Sequence, residues 1–158
     1  MNLKQQQDAA KRRYEQYRFY LDADKIVYQL MDMLGIPTAA YAIAGSTAMI
    51  AYGLDLNRMP HDIDIVVYPG YNNVINEAIF NNPFISRSDA KVNMSYSRLT
   101  VQAGGINIDI LESETIDTIH TGRRCKVVSP KHLYDVKMKW QREKDIQDIA
   151  LIEPLINE

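Results

Sequence analysis

The chain has 158 residues, of which 46% are hydrophobic and 24% are charged, a composition typical of a soluble globular protein with one core. Its formal net charge of −2 gives no general attraction to nucleic acid, so such a partner would need a local basic patch. The single cysteine, Cys125, excludes an internal disulfide and a cysteine-rich zinc site and is typical of a small buried side chain. The polar N-terminus does not resemble a signal peptide, and no apolar run approaches the roughly 20 residues that span a membrane. We therefore expect a cytoplasmic protein with no membrane partner.

The N-terminal segment, residues 1–35, has a helical pattern. The sequence LDADK allows a break in this pattern, because Asp22 or Asp24 suits the cap of a second helix. The glycine and proline that follow the pattern are a helix stop signal. We therefore predict one or two helices here, and their tyrosine-rich surface suits a homodimer contact.

Five strand patterns follow in the central segment, residues 41–128: AYAIA, HDIDIVVY, KVNMSYSRLTVQA, GGINIDIL and RCKVV. Buried strands are short apolar runs, and half-buried strands alternate apolar with polar residues. The third pattern is long enough for a hairpin or an edge strand. Turn residues and helix patterns separate the strands, without a linker or an internal repeat.

Helix patterns alternate with these strands. STAMIAYGL predicts a helix that begins at Ser46 or Thr47, and NVINEAIF predicts another. Ser129 and Pro130 are typical cap and first-turn residues, and residues 129–158 predict two C-terminal helices. We therefore predict an α/β (α+β) fold with a mixed sheet of about four or five strands flanked by helices.

Three aspartates fall on two of the predicted strands. Asp62 and Asp64 share one face of HDIDIVVY because side chains alternate along a strand. Asp109 lies on the polar face of GGINIDIL, so neighbouring strands would bring the three carboxylates together. Such a cluster is repulsive without cations, and Mg²⁺ prefers one or two carboxylates together with substrate phosphates. The pattern predicts a Mg²⁺ site with these aspartates as ligands, and two such ions can clamp the oxygens of a phosphoryl transfer.

The sequence Gly45-Ser46-Thr47 is typical of a phosphate-binding turn. A glycine after a strand lets a phosphate approach the backbone, and the following helix points free N–H groups at it. Ser46 and Thr47 add hydroxyl donors. A phosphate site beside a metal-binding carboxylate set predicts an active site for nucleotides.

Together these residues resemble the nucleotidyltransferase superfamily of DNA polymerase beta type. The resemblance rests on Gly45-Ser46 before a helix, Asp62-x-Asp64 on a strand and Asp109 on a later strand. The run SPKHLYDVKMKWQREKDIQDIALI is similar to the C-terminal part of the AbiEii-like nucleotidyltransferase toxins and related bacterial proteins. In that group a lysine after Ser-Pro and a Lys-Asp-x-x-Asp run recur.

The resemblance implies Mg²⁺-dependent transfer of a nucleoside monophosphate from an NTP such as ATP to an acceptor hydroxyl, with two metal ions. It makes residues 41–128 the catalytic core of a single domain, residues 1–158. It also implies that the three aspartates are the catalytic, metal-binding residues and that Ser46 holds the triphosphate. Lys137 and Lys144 are candidates for nucleotide contact or for steadying the site.

The acceptor is not readable from the sequence and could be an RNA end, a protein or a small molecule, including an antibiotic. A toxin–antitoxin or defence context, with an antitoxin partner, is a further expectation from the resemblance. The alternative function is a non-catalytic member of the fold that binds a nucleotide or a partner protein.

The C-terminal residues also have less specific interpretations. Lys137 is compatible with a stem packed on the core and an amine at the rim. Lys144, Asp145 and Asp148 are compatible with an exposed helix face that carries a Lys144–Asp148 pair at i, i+4.

Overall fold

The computed structural model describes residues 1–82, 92–95 and 98–157. The helices in these ranges are α1 (Leu3–Met33), α2 (Gly45–Ala51), α3 (Tyr71–Asn81), α4 (Pro130–Trp140) and α5 (Glu143–Ile156). The strands are β1 (Tyr41–Ala44), β2 (Asp62–Val67), β3 (Val92–Ser95), β4 (Arg98–Ala103), β5 (Ile106–Glu112), β6 (Thr118–Ile119) and β7 (Val127–Val128). A short 3₁₀ helix, Thr38–Ala40, precedes β1.

The described strands form one mixed sheet in the order β3-β4-β5-β2-β1-β7-β6. β5 runs parallel to β2 and β7 runs parallel to β1, whereas the other neighbouring pairs are antiparallel. The predicted mixed sheet flanked by helices is confirmed. It has more than four or five strands because the third pattern supplies both β3 and β4. In addition, the two-residue strand β6 is not among the predicted strand patterns.

The hydrophobic core lies between the sheet and the helices. All four residues of β1 are buried, and the core-facing isoleucines of β2 and β5 are fully buried: Ile63, Ile65, Ile108 and Ile110. Helix α2 contacts α1, β1 and β2, and α4 packs against α5. The alternating polar positions of β2 and β5 are thereby left on the opposite face of the sheet.

Helix α1 is continuous through LDADK, so of the two alternatives one helix forms and not two. Asp24 does not cap a second helix, because its Oδ1 accepts a hydrogen bond of 2.8 Å from the backbone N–H of Cys125. Asp24 lies on the buried face of α1 together with Ala23 and Val27. Cys125 is buried as predicted. Asp24 thus binds the backbone of a residue 101 positions later in the sequence and does not cap a helix.

The C-terminal part contains the two predicted helices. Ser129 caps α4 by accepting a hydrogen bond from the backbone N–H of His132, and Pro130 occupies the first turn. Helix α5 follows after Gln141, which has a positive φ of 47° and reverses the chain. Among the helices of the described residues, none is long and apolar enough to cross a membrane.

Candidate functional site

The register of β2 and β5 places two of the three aspartates side by side. Asp64 is the direct Cα partner of Asp109 in the parallel pair, and Asp62 is the partner of Asn107. Asp62 is exposed, Asp64 is partly exposed, and Asp109 retains 7% of its accessible surface. The expectation that the two strands are neighbours is therefore met, and the three carboxylates lie on one part of the sheet.

Gly45 contacts the second of these aspartates. Its φ is +62°, and a Cβ built at this position would lie 2.9 Å from Cβ and Cγ of Asp64 and would overlap its Oδ2. A left-handed backbone favours glycine, and here the contact leaves no room for a side chain. The first residue of α2 and the carboxylate of β2 therefore pack directly against each other.

Burial and neighbouring charges perturb Asp64. Burial, followed by the charges of Asp109 and Asp62, raises the pKa of its carboxyl group to about 6, against the lowering effects of Lys144 and Lys137. A carboxylate beside like charges favours its neutral form unless a cation is added. A cation bound at this part of the site would therefore lower the pKa of Asp64 and stabilise the carboxylates.

Asp109 already has two partners. Arg98 donates a hydrogen bond of 2.8 Å from Nη2 to Oδ2, and Thr100 donates one of 2.8 Å to Oδ1. Within the ranges that the structure describes, no three His, Cys, Asp or Glu side chains are arranged so that they could hold a metal ion. The assignment of all three aspartates as metal ligands therefore stays a prediction.

Ser46 and Thr47 lie in different environments. Ser46 is partly exposed, and its Oγ accepts a hydrogen bond of 3.0 Å from Nη2 of Arg58. Thr47 is fully buried, and its hydroxyl has no hydrogen-bond partner among the described residues. Ser46 is therefore the hydroxyl that a ligand can reach, whereas Thr47 faces the protein interior.

Five charged residues form what we call the ion-pair chain: Arg58, Asp148, Lys137, Asp145 and Arg142. Arg58 binds Asp148 through two hydrogen bonds of 3.1 and 2.9 Å. Nζ of Lys137 lies 2.8 Å from Asp148 and 3.3 Å from Asp145. Arg142 binds Asp145, with 2.8 Å between Nε and Oδ2. Opposite charges alternate along the whole chain of contacts.

The ion-pair chain corrects the interpretation of α5 as an exposed helix face. Asp145 and Asp148 are 0% exposed, and Asp148 binds Arg58 and Lys137 rather than Lys144. The ammonium of Lys137 is also buried rather than placed at the rim. The Nζ atom of Lys137 binds Asp145 and Asp148, and its charge also lowers the pKa of Asp64.

Sequence reasoning did not identify Arg58, Arg98 or Arg142. Arg58 lies in the loop NRMP and meets a partner 90 residues away, so no local pattern marks it. Arg98 carries no special spacing within its strand. The one available signal was the position of Arg58, which closely precedes the Asp62-x-Asp64 pair.

No protein-family model matches the chain, and no curated protein matches its sequence. Solved structures do share its fold. The chain is similar to ANT(2″)-Ia in complex with adenylyl-2″-tobramycin, with 13% identity and a TM-score of 0.57 over 84% of this chain and 86% of that chain. A protein of Thermotoga maritima assigned as a nucleotidyltransferase has 16% identity and a TM-score of 0.54, over 85% and 92%. An antigenic nucleotidyltransferase-like protein of Paracoccidioides brasiliensis has 20% identity and a TM-score of 0.54, over 86% and 75%.

At these identities the likeness concerns the fold, because similar folds carry different activities. The chain therefore has the nucleotidyltransferase fold.

Proposed function

We propose that the protein is a Mg²⁺-dependent nucleotidyltransferase that moves a nucleoside monophosphate from an NTP to an acceptor hydroxyl. The observation that carries the proposal is the contact of Gly45 with Asp64. Asp64 in turn is the direct partner of Asp109 on the neighbouring strand β5. The contact of Gly45 with Asp64 supports the proposal because Gly45 precedes Ser46, whose hydroxyl suits a phosphate, and because carboxylates suit cations. The fold neighbours support the same class of reaction.

The donor chemistry of the site fits Mg²⁺. Asp62 and Asp64 provide hard oxygen ligands. Burial and the charge of Asp109 raise the pKa of Asp64, and a bound cation would favour its ionised form. Asp109 would join them after releasing Arg98, which holds its Oδ2. The chemistry that Mg²⁺ supplies when bound is the neutralisation of charge on the triphosphate and on the attacking and leaving oxygens.

The chain's own residues position the reactants. Ser46 donates its hydroxyl to the triphosphate, and Lys144 adds positive charge near Asp64. Asp109 orients the acceptor hydroxyl or takes its proton. The acceptor oxygen attacks the α-phosphorus, the bond to the bridging oxygen breaks, and pyrophosphate leaves with its electron pair.

The experiment follows an α-labelled NTP into RNA, protein and small-molecule acceptors in the presence of Mg²⁺. We expect the wild-type protein to transfer label and Asp64→Asn to transfer none, because its carboxylate is replaced by a neutral amide. Circular dichroism and thermal melting establish that the variant is folded. Full transfer by a folded Asp64→Asn protein would contradict the assignment.

A second candidate function is a nucleotide-binding protein that does not catalyse transfer. The Arg98–Asp109 ion pair favours it, since both oxygens of the third carboxylate have partners. This alternative predicts that the wild-type protein binds an NTP that stays intact over long incubation with every acceptor class.

A further inference from the structure

The two ends of the ion-pair chain differ from its interior. Lys137, Asp145 and Asp148 are buried, whereas the side chain of Arg58 is 37% exposed and that of Arg142 is 55% exposed. Three cations share two carboxylates, so the five residues carry a surplus positive charge. The three interior residues are buried, so solvent and ligands can reach the net positive charge only at Arg58 and Arg142. Of these two residues, Arg58 contacts Ser46.

Arg58 is held in one orientation. Nη1 and Nη2 bind the two oxygens of Asp148, and Nη2 also donates to Oγ of Ser46 at 3.0 Å. A guanidinium has five N–H donors, and these contacts engage three of them at most. A bidentate pair with a buried carboxylate fixes the plane of the group, so its remaining donors and charge have a fixed direction.

The contact also orients the hydroxyl of Ser46. Since Oγ accepts a hydrogen bond from Arg58, the hydroxyl proton points away from the guanidinium and is available as a donor. Two kinds of donor, a neutral hydroxyl and a charged N–H, therefore lie side by side at the start of α2. An anion with several oxygens, such as a polyphosphate, can accept from both.

Charge compensation of Asp148 accounts for only part of what Arg58 contacts. Arg58 and Lys137 both pair with this buried carboxylate, so the bidentate pair stabilises the fold. The hydrogen bond from Arg58 to Ser46 is not needed for that compensation.

We propose that Arg58 is a triphosphate-binding residue, which binds the terminal phosphates of the NTP together with Ser46. The ion-pair chain positions its guanidinium through Asp148. This inference deepens the proposed function and rests on it.

The chain offers a matched control. Arg12 is 35% exposed and binds both oxygens of Asp55, at 3.1 and 2.8 Å. Arg12 therefore resembles Arg58 in its exposure and in its bidentate pairing with an aspartate. Asp55, the partner of Arg12, lies in the same loop between α2 and β2 as Arg58. Its described hydrogen bonds go to Asp55 and none goes to Ser46.

The first measurement compares the binding of ATP, tripolyphosphate and AMP to the wild-type protein, Arg58→Gln and Arg12→Gln by calorimetry in Mg²⁺. We expect Arg58→Gln to bind ATP and tripolyphosphate at least about tenfold more weakly than the wild-type protein does. This factor corresponds to the loss of one charge-assisted hydrogen bond. Binding of AMP is expected to change little, and Arg12→Gln should bind all three ligands as the wild-type protein does. Equal affinity of the wild-type protein and folded Arg58→Gln for both polyphosphates would overturn the inference.

The second measurement uses the wild-type protein, so it does not depend on whether a variant folds. Phenylglyoxal modifies arginine side chains, and mass spectrometry reports the modification at each position. We expect tripolyphosphate to protect Arg58 from modification and to leave Arg12 unprotected. Modification of Arg58 at the same rate with and without the ligand would also overturn the inference. If the wild-type protein binds no NTP at all, the proposed function itself fails.

Discussion

At the scale of single residues, the site depends on the absence of a side chain at Gly45. The backbone there is left-handed, and the space beside it is filled by Asp64. The backbone at the start of α2 and the aspartate on β2 can pack together because residue 45 carries no side chain. A glycine predicted from sequence for phosphate approach thus has a second role in the packing of the carboxylate.

Gly45→Ala tests this contact, with Gly53→Ala as its control. Both glycines have a positive φ, of 62° and 88°, but a Cβ at Gly53 has nothing within 4 Å. We expect each substitution to cost about 1–2 kcal/mol of unfolding free energy for its left-handed backbone. Gly45→Ala is expected to cost about 1–3 kcal/mol more, because its methyl group displaces Asp64.

Urea denaturation monitored by circular dichroism measures the two free energies, and calorimetry measures NTP binding by each variant. We expect Gly53→Ala to bind an NTP normally and Gly45→Ala to bind it weakly. Equal stability and equal binding of the two variants would show that the contact between Gly45 and Asp64 is unimportant.

At the scale of secondary-structure elements, the ion-pair chain fastens α4 and α5 to the loop that precedes β2. Burial alone would raise the pKa of Asp148, but hydrogen bonds from Arg58 and Lys137 outweigh it and hold the pKa below its usual value. Burial also opposes ionisation of Asp145, and hydrogen bonds from Arg142 likewise hold its pKa low. Both carboxylates are therefore charged in the folded protein and depend on their cations.

Lys137→Met tests the centre of the ion-pair chain. It removes the shared cation of two carboxylates that are 0% exposed, and we expect it to lower the unfolding free energy by about 3–5 kcal/mol at pH 7. Lys139→Met, at an exposed position of the same helix, should change it by less than about 0.5 kcal/mol.

The pH dependence of the same variants provides a second test. A carboxyl group with a lowered pKa stabilises the fold above its unfolded pKa, near 4, and this contribution is lost as the pH falls through the folded pKa. The wild-type protein should therefore lose stability below about pH 4, and the difference between it and Lys137→Met should narrow there. A difference that is small at pH 7, or that grows in acid, would contradict the role given to Lys137.

Local patterns account for most of the elements. The alternation in HDIDIVVY predicts β2, and Ser129-Pro130 predicts the start of α4, because both signals act within a few residues. Asp24 shows the opposite case, since its pattern suits a helix cap but its partner is the backbone of Cys125. No pattern predicts the short strand β6, whereas the run RCKVV predicts the equally short β7.

At the scale of the whole molecule, the candidate site is assembled by contacts between distant segments. Strand alternation predicts the face of each aspartate on β2 and β5, so the three carboxylates could be predicted to meet if the two strands were neighbours. The contacts of Arg58 could not be predicted, since they depend on how α5 lies against the loop that precedes β2. The same holds for Arg98, whose approach to Asp109 depends on the register of β4 with β5.

The fold comparisons leave the acceptor as the open part of the proposed function. ANT(2″)-Ia is described with adenylyl-2″-tobramycin, and another structure of similar fold is a Megavirus polyadenylate synthase, with 9% identity and a TM-score of 0.50 over 88% of this chain and 31% of that chain. The site itself, with its aspartates and its serine, is the part that binding experiments address first.

The most direct measurement is calorimetric titration of each of the four NTPs into the wild-type protein and into Asp62→Ala/Asp64→Ala, with and without Mg²⁺. We predict that the wild-type protein binds at least one NTP only when Mg²⁺ is present, and that the folded double variant binds none. Absence of NTP binding by folded wild-type protein would contradict a nucleotide site on these strands. Binding that persists without both aspartates would place the site elsewhere.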